Sequence, residues 1–403
     1  MDIQIFKMEE PMKNYKYLII GGGLAGDAAT KGIRELDTDG TIGMLSTEPD
    51  PPYMRPNLSK GLWKGRPLEK IWRKTQERGT DLHLNCKVIL LDPQKKLVRD
   101  VANEEYTYDK LLLATGGTPN HLPFGEGNII YFRTFQDYQQ LRKLTENGHR
   151  FLVIGGSFIG SELAAALTIV GQQVTMVFPE NAISEHAFPS DLANFLNEYY
   201  RLNGVEVLTG ESIVSVQTEG ERIIAHTGSG RVMEADGVVA GIGIRPNLEL
   251  GKQAGLETGN GIIVNEQLQT SHPDIYAAGD SANFFHSTLG RRVRVEHEDN
   301  AVQMGKTAGR NMAGASDTYT HIPMFYSDLF DLGYEAVGDT DSKLQTFSDW
   351  QEQFKKGVIY YLDEGQVQGV VLWNIWEKTD EARVLMKEPG SFDTKDLKGR
   401  ITG

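Results

Sequence analysis

At 403 residues, and with domains of roughly 100–200 residues each, the chain has room for two or three domains; 39% hydrophobic and 24% charged residues are ordinary for a globular protein. A formal net charge of −14 leaves no basic excess to neutralise phosphates, which excludes nucleic acid and acidic membrane surfaces as partners. No run reaches the ~20 apolar residues of a bilayer span. The segment Met1 to Asn14 mixes charges with no apolar core, unlike a secretory signal, and the single cysteine, Cys86, fits a reducing compartment, so a cytoplasmic location is expected.

Tyr17 to Ile20 reads as a short apolar strand that enters Gly21-Gly22-Gly23-Leu24-Ala25-Gly26, followed by a helix from Asp27 to Leu36. In this G-x-G-x-x-G pattern the first glycine permits the tight turn, the second lets backbone approach a pyrophosphate, and the third lets helix pack on strand. The phosphates then face the positive end of the helix. Glu48 closes the next strand-like run, Thr41 to Ser46, where an acid that accepts from a ribose is expected. Lys110 to Ala114 is a further strand, and Leu111 to Pro119 runs it into a turn at Thr115 and Gly116.

The grammar then repeats. Phe151 to Ile154 enters Gly155-Gly156-Ser157-Phe158-Ile159-Gly160, and a helix is expected from Ser161 to Val170. Ser157 replaces the middle glycine, where its side chain could crowd a pyrophosphate or hydrogen-bond to it. Glu180 ends the strand-like run Val174 to Phe178, the place for an acid that accepts from both ribose hydroxyls of NAD; an exposed turn glutamate after Pro179 is the alternative. No Arg or Lys lies between Val174 and Asp191 to pair with a 2′-phosphate, so NADH is favoured over NADPH. Val205 to Leu208 and Gly237 to Gly241 supply more strands, and Gly241 to Asn247, with Gly243, reads as a return connection. Ile275 to Asp280 ends an apolar strand with Gly279-Asp280, whose carboxylate can accept from a ribitol hydroxyl; this makes the first unit a flavin site.

From about Pro323 the pattern changes. Gly357 to Leu362 and Gln368 to Trp373, separated by Asp363 to Gln366, read as an antiparallel hairpin. Trp373 and Trp376 are expected in the core of this module, and the last fifteen residues, being polar, are expected to be loosely held. The fold class is α/β: two Rossmann-like dinucleotide-binding domains plus a C-terminal α+β domain. The FAD-binding domain is discontinuous, 1–120 and 246–322, the NAD-binding domain is 121–245, and the interface-type C-terminal domain is 323–403.

The ordered set of motifs resembles the two-dinucleotide flavoprotein disulfide-reductase superfamily, and within it the apoptosis-inducing-factor group and the oxygenase-coupled ferredoxin and rubredoxin reductases. The resemblance runs from Tyr17 to Met386 and is carried by Pro52 to Lys60, Gly160 to Ala164, Phe178 to Glu180, Val295 to Ala301, Met324 to Leu329, Gly333 to Gly338 and Val371 to Ile375. It implies that Arg55 and Lys60 contact the flavin, with Lys60 paired to Glu162, and that Thr47 and Glu48 meet the adenosine ribose. It further implies Val88 against the adenine, Arg133 near the flavin, and Asp280 on the ribitol. Glu296, His297, Glu298 and Tyr326 would line the nicotinamide cleft, and Glu335 would help hold NAD. Tyr326 stands where the family usually has tryptophan, and Glu298 and Asn300 where the apoptosis-inducing factors have histidines. The basic character and long C-terminal insertion of the animal protein are missing, so its nuclear role is not transferred.

Family members that relay electrons through thiols use a cysteine pair or one cysteine after the first βαβ unit. Pro51 to Lys60 contains none, and Cys86, in the strand-like run Leu82 to Val88, reads as a packed thiol. Electrons are therefore expected to pass as a hydride from NADH to FAD, then directly to an external acceptor: an iron–sulfur protein, a quinone or oxygen. An NADH-gated sensor with a long-lived charge-transfer complex, dimerising on reduction, and a protein-binding module are the alternatives. Few exposed basic groups are expected, which disfavours acidic ferredoxins. No metal site is expected: Glu296 to Asp299 is the one cluster of potential ligands, and it opens a helix, where acids are favoured by the helix dipole.

Overall fold

The structure, a computed structural model, describes residues 12–220 and 222–403. Most of the N-terminal segment considered above therefore lies outside the described residues. The first sheet places strands in the order Thr80–His83, Ile42–Leu45, Lys13–Ile20, Glu105–Leu113, Leu97–Asp100, Val88–Asp92. The first four are parallel, and Ile275–Ala277 returns from far along the chain to lie parallel to the end of Glu105–Leu113. Leu18, Ile19 and Ile20 are apolar at every position and buried at every position, as a parallel strand covered on both faces must be.

The second sheet is wholly parallel, in the order Val205–Leu208, Gln173–Val177, Arg150–Ile154, Gly237–Ala240, Ile129–Tyr131. An antiparallel sheet of Ile213–Glu219, Arg222–Thr227 and Val232–Ala235 packs its apolar residues against it. Two short strands, Gly117–Pro119 and Ile244–Pro246, pair antiparallel where the chain leaves the first unit and where it returns. Asn247 clasps this crossing: its Nδ2 donates to the Thr115 carbonyl, and its backbone and side-chain oxygens accept from Thr115 and Thr118.

Both glycine turns behave as their spacing requires. Gly21 and Gly155 have positive φ, and a Cβ on Gly26 or Gly160 would strike the carbonyl of Gly21 or Gly155. The helices that follow, Leu24–Arg34 and Phe158–Ile169, begin three residues before the expected Asp27 and Ser161. Asp27 is fully buried inside its helix and is satisfied there by Arg73 Nε at 2.8 Å, Thr75 Oγ1 at 2.7 Å and Arg78. Ser161 instead turns its hydroxyl back onto the Phe158 carbonyl at 2.9 Å. Each polar residue resembles a helix cap in sequence and is an interior residue in space.

The C-terminal sheet is antiparallel, in the order Met324–Leu329, Leu332–Gly338, Gln366–Trp373, Lys356–Asp363, Gln345–Glu352, and includes the expected hairpin. Two expectations fail here. The last residues are held: Thr394–Leu397 forms a helical turn capped by Asp393, Leu397 and Ile401 are buried, and the Ile401 amide donates to Tyr360. Trp373 is core, but Trp376 is 46% exposed, because the chain turns away at Asn374 with positive φ.

Candidate functional site

A cleft of about 2230 Å³ runs between the three sheet systems. Typical small-molecule pockets span about 300–1,000 Å³, so this one has room for two dinucleotides. At its first end the helix Leu24–Arg34 points its amino end inward with no side chain capping it, and a Cβ built on Gly23 would meet nothing within 4 Å. That open space, bounded by Gly21, Gly22, Leu24 and Ala25, fits a pyrophosphate. Thr47, Glu48, Arg55, Val88, Thr115, Gly116, Arg133, Gly279 and Asp280 line the same end.

The second helix, Phe158–Ile169, is also uncapped by a side chain. Ser157 has φ −88° and ψ −166°, nearly the same as Gly23 at φ −89° and ψ −169°. The conformation is extended and open to any residue, so the serine replaces glycine without strain and projects into the cleft beside Phe158 and Ile159. Gly26, Gly155, Gly156 and Gly160 do not reach the cleft wall; their part is close packing, Gly156 against the Phe178 ring.

Several charged side chains enter the cleft already paired. Arg55 Nη2 donates to Glu48 Oε1 at 2.6 Å, and Tyr53 donates to Glu48 Oε2 at 2.6 Å. Arg133 Nη2 donates to Asp280 Oδ2 at 2.6 Å, and Arg294 holds Glu296 at 2.7 Å. Glu162 gathers three donors: Lys60 at 2.7 Å, Ser59 at 2.6 Å and Ser327 at 2.7 Å. The Lys60 ammonium also lies 4.9 Å from the centre of the Tyr326 ring. Sequence reasoning misses Tyr53, Ser59 and Ser327 as site residues although they fall inside the segments Pro52 to Lys60 and Met324 to Leu329; a hydroxyl two or one positions from a charged residue is the available signal.

His297 stacks on Phe325, 4.3 Å between centroids, and desolvation pushes its pKa down to about 4, which keeps the imidazole neutral. Burial raises the pKa of Glu296, Glu298 and Tyr326 above their ordinary values. Glu335 lines the cleft, and its carboxylate accepts from the Glu377 amide at 3.1 Å. Trp376 also lines the cleft, its ring against Gly333. Glu180 does not: its carboxylate lies outside the cleft wall, 3.7 Å from His186 Nε2. Cys86 is buried in a loop between Thr80–His83 and Val88–Asp92 rather than in one strand, facing Asp100 and Tyr106. Among the described residues no group of three or more His, Cys, Asp or Glu could hold a metal ion, and no helix is long and apolar enough to cross a membrane.

The model of the pyridine nucleotide-disulphide oxidoreductases matches residues 15–305. The chain belongs to this family. A second model, the C-terminal part of mitochondrion-associated apoptosis-inducing factor, matches 308–352 and 347–388. The oxidoreductase is 36% identical over 94% of its length to an apoptosis-inducing factor 1, mitochondrial, of Dictyostelium discoideum, covering 80% of that protein. It is 33% identical to a 5,5′-dehydrodivanillate O-demethylase ferredoxin reductase subunit of Sphingobium, over 96% of each chain. Among solved structures it resembles the covalent putidaredoxin reductase–putidaredoxin complex, with a TM-score of 0.87, 28% identity and 93% of each chain covered. It is thus a flavin-dependent pyridine nucleotide oxidoreductase that binds FAD and NAD(P)H.

Proposed function

We propose that this oxidoreductase takes electrons from NADH and passes them from the flavin directly to an external acceptor, with no thiol relay. The observation that carries this reading is the placement of its one cysteine: Cys86 lies off the cleft wall, and burial pushes its pKa up to about 11. A thiol of that kind is a poor nucleophile and a poor redox partner at neutral pH. Bound FAD supplies a ring that accepts a hydride from the nicotinamide. The chain's own residues orient and charge the cleft.

In this reading Gly21 to Ala25, Thr47, Glu48, Arg55, Val88, Thr115, Gly116, Arg133, Gly279 and Asp280 hold FAD, with Gly26 packing the helix onto the strand behind them. Ser157 to Ile159, Gly243, Glu296, His297, Glu298, Tyr326 and Glu335 border the nicotinamide dinucleotide, with Glu180 turning towards its ribose when it binds. Lys60, fixed by Glu162, places positive charge beside the flavin. The domain division at 120/121, 245/246 and 322/323 is supported by the paired crossing strands at two of these points and by the start of the antiparallel sheet at Met324. The single buried thiol supports the cytoplasmic placement.

A second reading, transfer to an iron–sulfur protein, is favoured by Lys64, Arg66, Lys70 and Lys74, all exposed on the loop that delivers Lys60. They correct the expectation of few exposed basic groups, and the similarity to a ferredoxin reductase subunit supports the same acceptor. Anaerobic reduction by NADH followed by addition of oxygen or ferredoxin separates the outcomes. Fast reoxidation by either supports the reductase, whereas a persistent long-wavelength band with an increase in mass supports an NADH-gated sensor.

A further inference from the structure

Glu298 differs from the other acids of the cleft, apart from the solvent-exposed Glu249, in lacking a partner among the described residues. Glu48, Glu162, Asp280, Glu296, Asp328 and Glu335 each accept a hydrogen bond from a neighbouring group. The Glu298 side chain is half-buried on the cleft wall and makes no hydrogen bond or ion pair among the described residues. The cations whose charge acts on it, Arg73 and Lys60, are already committed, to Asp27 and Glu162. Asp299 beside it on the same helix adds negative charge, Tyr326 faces it from the neighbouring sheet, and His297 is neutral. The amino end of the helix Glu298–Met312 would favour an ionised acid. Desolvation outweighs that and moves the pKa upward, so the carboxyl keeps its proton to higher pH than an exposed glutamate.

A half-buried carboxyl that can carry a proton, with no hydrogen-bond partner among the described residues, can serve an acceptor that takes up protons with its electrons. Iron–sulfur clusters do not. Trp376, half-exposed on the same cleft, offers a flat face for a planar ring. We propose that Glu298 is the proton donor to a quinone reduced in this cleft. This rests on the oxidoreductase reading above.

Electrons and protons balance across the exchange. NADH supplies two electrons and one proton, delivered to the quinone through the enzyme, and leaves as NAD⁺. The second proton comes from Glu298: its O–H bond breaks as an O–H bond forms on the quinone oxygen, and hydroquinone departs. The carboxylate then regains a proton from solvent at the cleft mouth.

Two measurements on the FAD-loaded protein test this. Infrared titration of the oxidised protein, without acceptor, should show a protonated carboxyl band that persists to higher pH than that of an exposed glutamate, and that is lost in Glu298→Gln. Reduced protein is then mixed anaerobically with benzoquinone, which takes protons, or ferricyanide, which takes none. In Glu298→Gln the ratio of the quinone rate to the ferricyanide rate should fall by about a hundredfold, the lower end of general-acid effects, and Glu298→Asp should recover part of it. A ratio within about twofold of native in Glu298→Gln, or no band assignable to Glu298, overturns the assignment. Failure of NADH to bleach the native flavin would instead strike the oxidoreductase reading on which it rests.

Discussion

The Lys60 ammonium lies 2.7 Å from Glu162, with the two side chains 10% and 3% exposed, although one comes from the loop after the first βαβ unit and the other from the second dinucleotide-binding helix. Ser327, from the C-terminal sheet, donates to the same carboxylate at 2.7 Å. Three parts of the chain therefore meet on one acid at the cleft. A pair this buried interacts by a few kcal/mol at an effective dielectric of about 20, against about 0–1 kcal/mol for a surface pair.

Reduced flavin carries negative charge, so removing the ammonium should make reduction harder. Lys60→Ala is expected to lower the flavin midpoint potential by tens of millivolts, roughly 30 mV for each 1.4 kcal/mol of a two-electron couple, and to slow reduction by NADH. A potentiometric titration within error of the native value would remove Lys60 from this role. Glu162→Ala leaves Lys60, Ser59 and Ser327 without their shared acceptor and should weaken NADH binding.

Cys86 offers the opposite expectation. Its thiol is buried, with its pKa pushed up to about 11, so Cys86→Ser should bleach with NADH at the native rate. Slow alkylation of native protein at pH 8 would agree. Loss of bleaching with FAD still bound would show that the thiol takes part.

Coenzyme choice turns on Glu180. NADH should reduce the flavin more efficiently than NADPH, since a carboxylate repels a 2′-phosphate and accepts from the ribose diol. Glu180→Ala should narrow the gap by about tenfold or less, the effect of roughly 1.4 kcal/mol. Equal efficiency in the native protein would show that Glu180, which lies off the cleft wall, stays there.

His286 governs an acid limit. It is 3% exposed, and burial lowers its pKa from 6.5 to about 4. The unfolded chain then binds the proton first, so stability is full above about pH 6.5 and falls as pH drops towards 4, by up to about 3 kcal/mol. Urea midpoints measured from pH 7 to 4 should fall less steeply in His286→Gln. Parallel slopes would assign the acid loss to other groups.

The glycine turns, their strands and the hairpin at the C-terminal end were legible because each depends on local pattern: positive φ, apolar runs and period-two alternation. Helix starts were not, because Asp27 and Ser161 look like caps and are interior; the partners of Asp27, namely Arg73, Thr75 and Arg78, are remote in sequence. The tail is misread for the same reason: Leu397 and Ile401 are two apolar residues in a polar stretch, and only the site they dock into shows that they hold it. Trp376 and Trp373 share a spacing but not a fate, since a left-handed turn at Asn374 sends one outward. The Lys60–Glu162 contact came only from resemblance, because nothing local links residues about a hundred positions apart.

The most direct test is an anaerobic titration of the FAD-loaded native protein with NADH, followed by flavin absorbance. One equivalent of NADH per chain should bleach the flavin completely, because two electrons fill the flavin and no thiol centre stands beside it. A requirement for two equivalents, or NADH consumed with the flavin still oxidised, would contradict direct transfer.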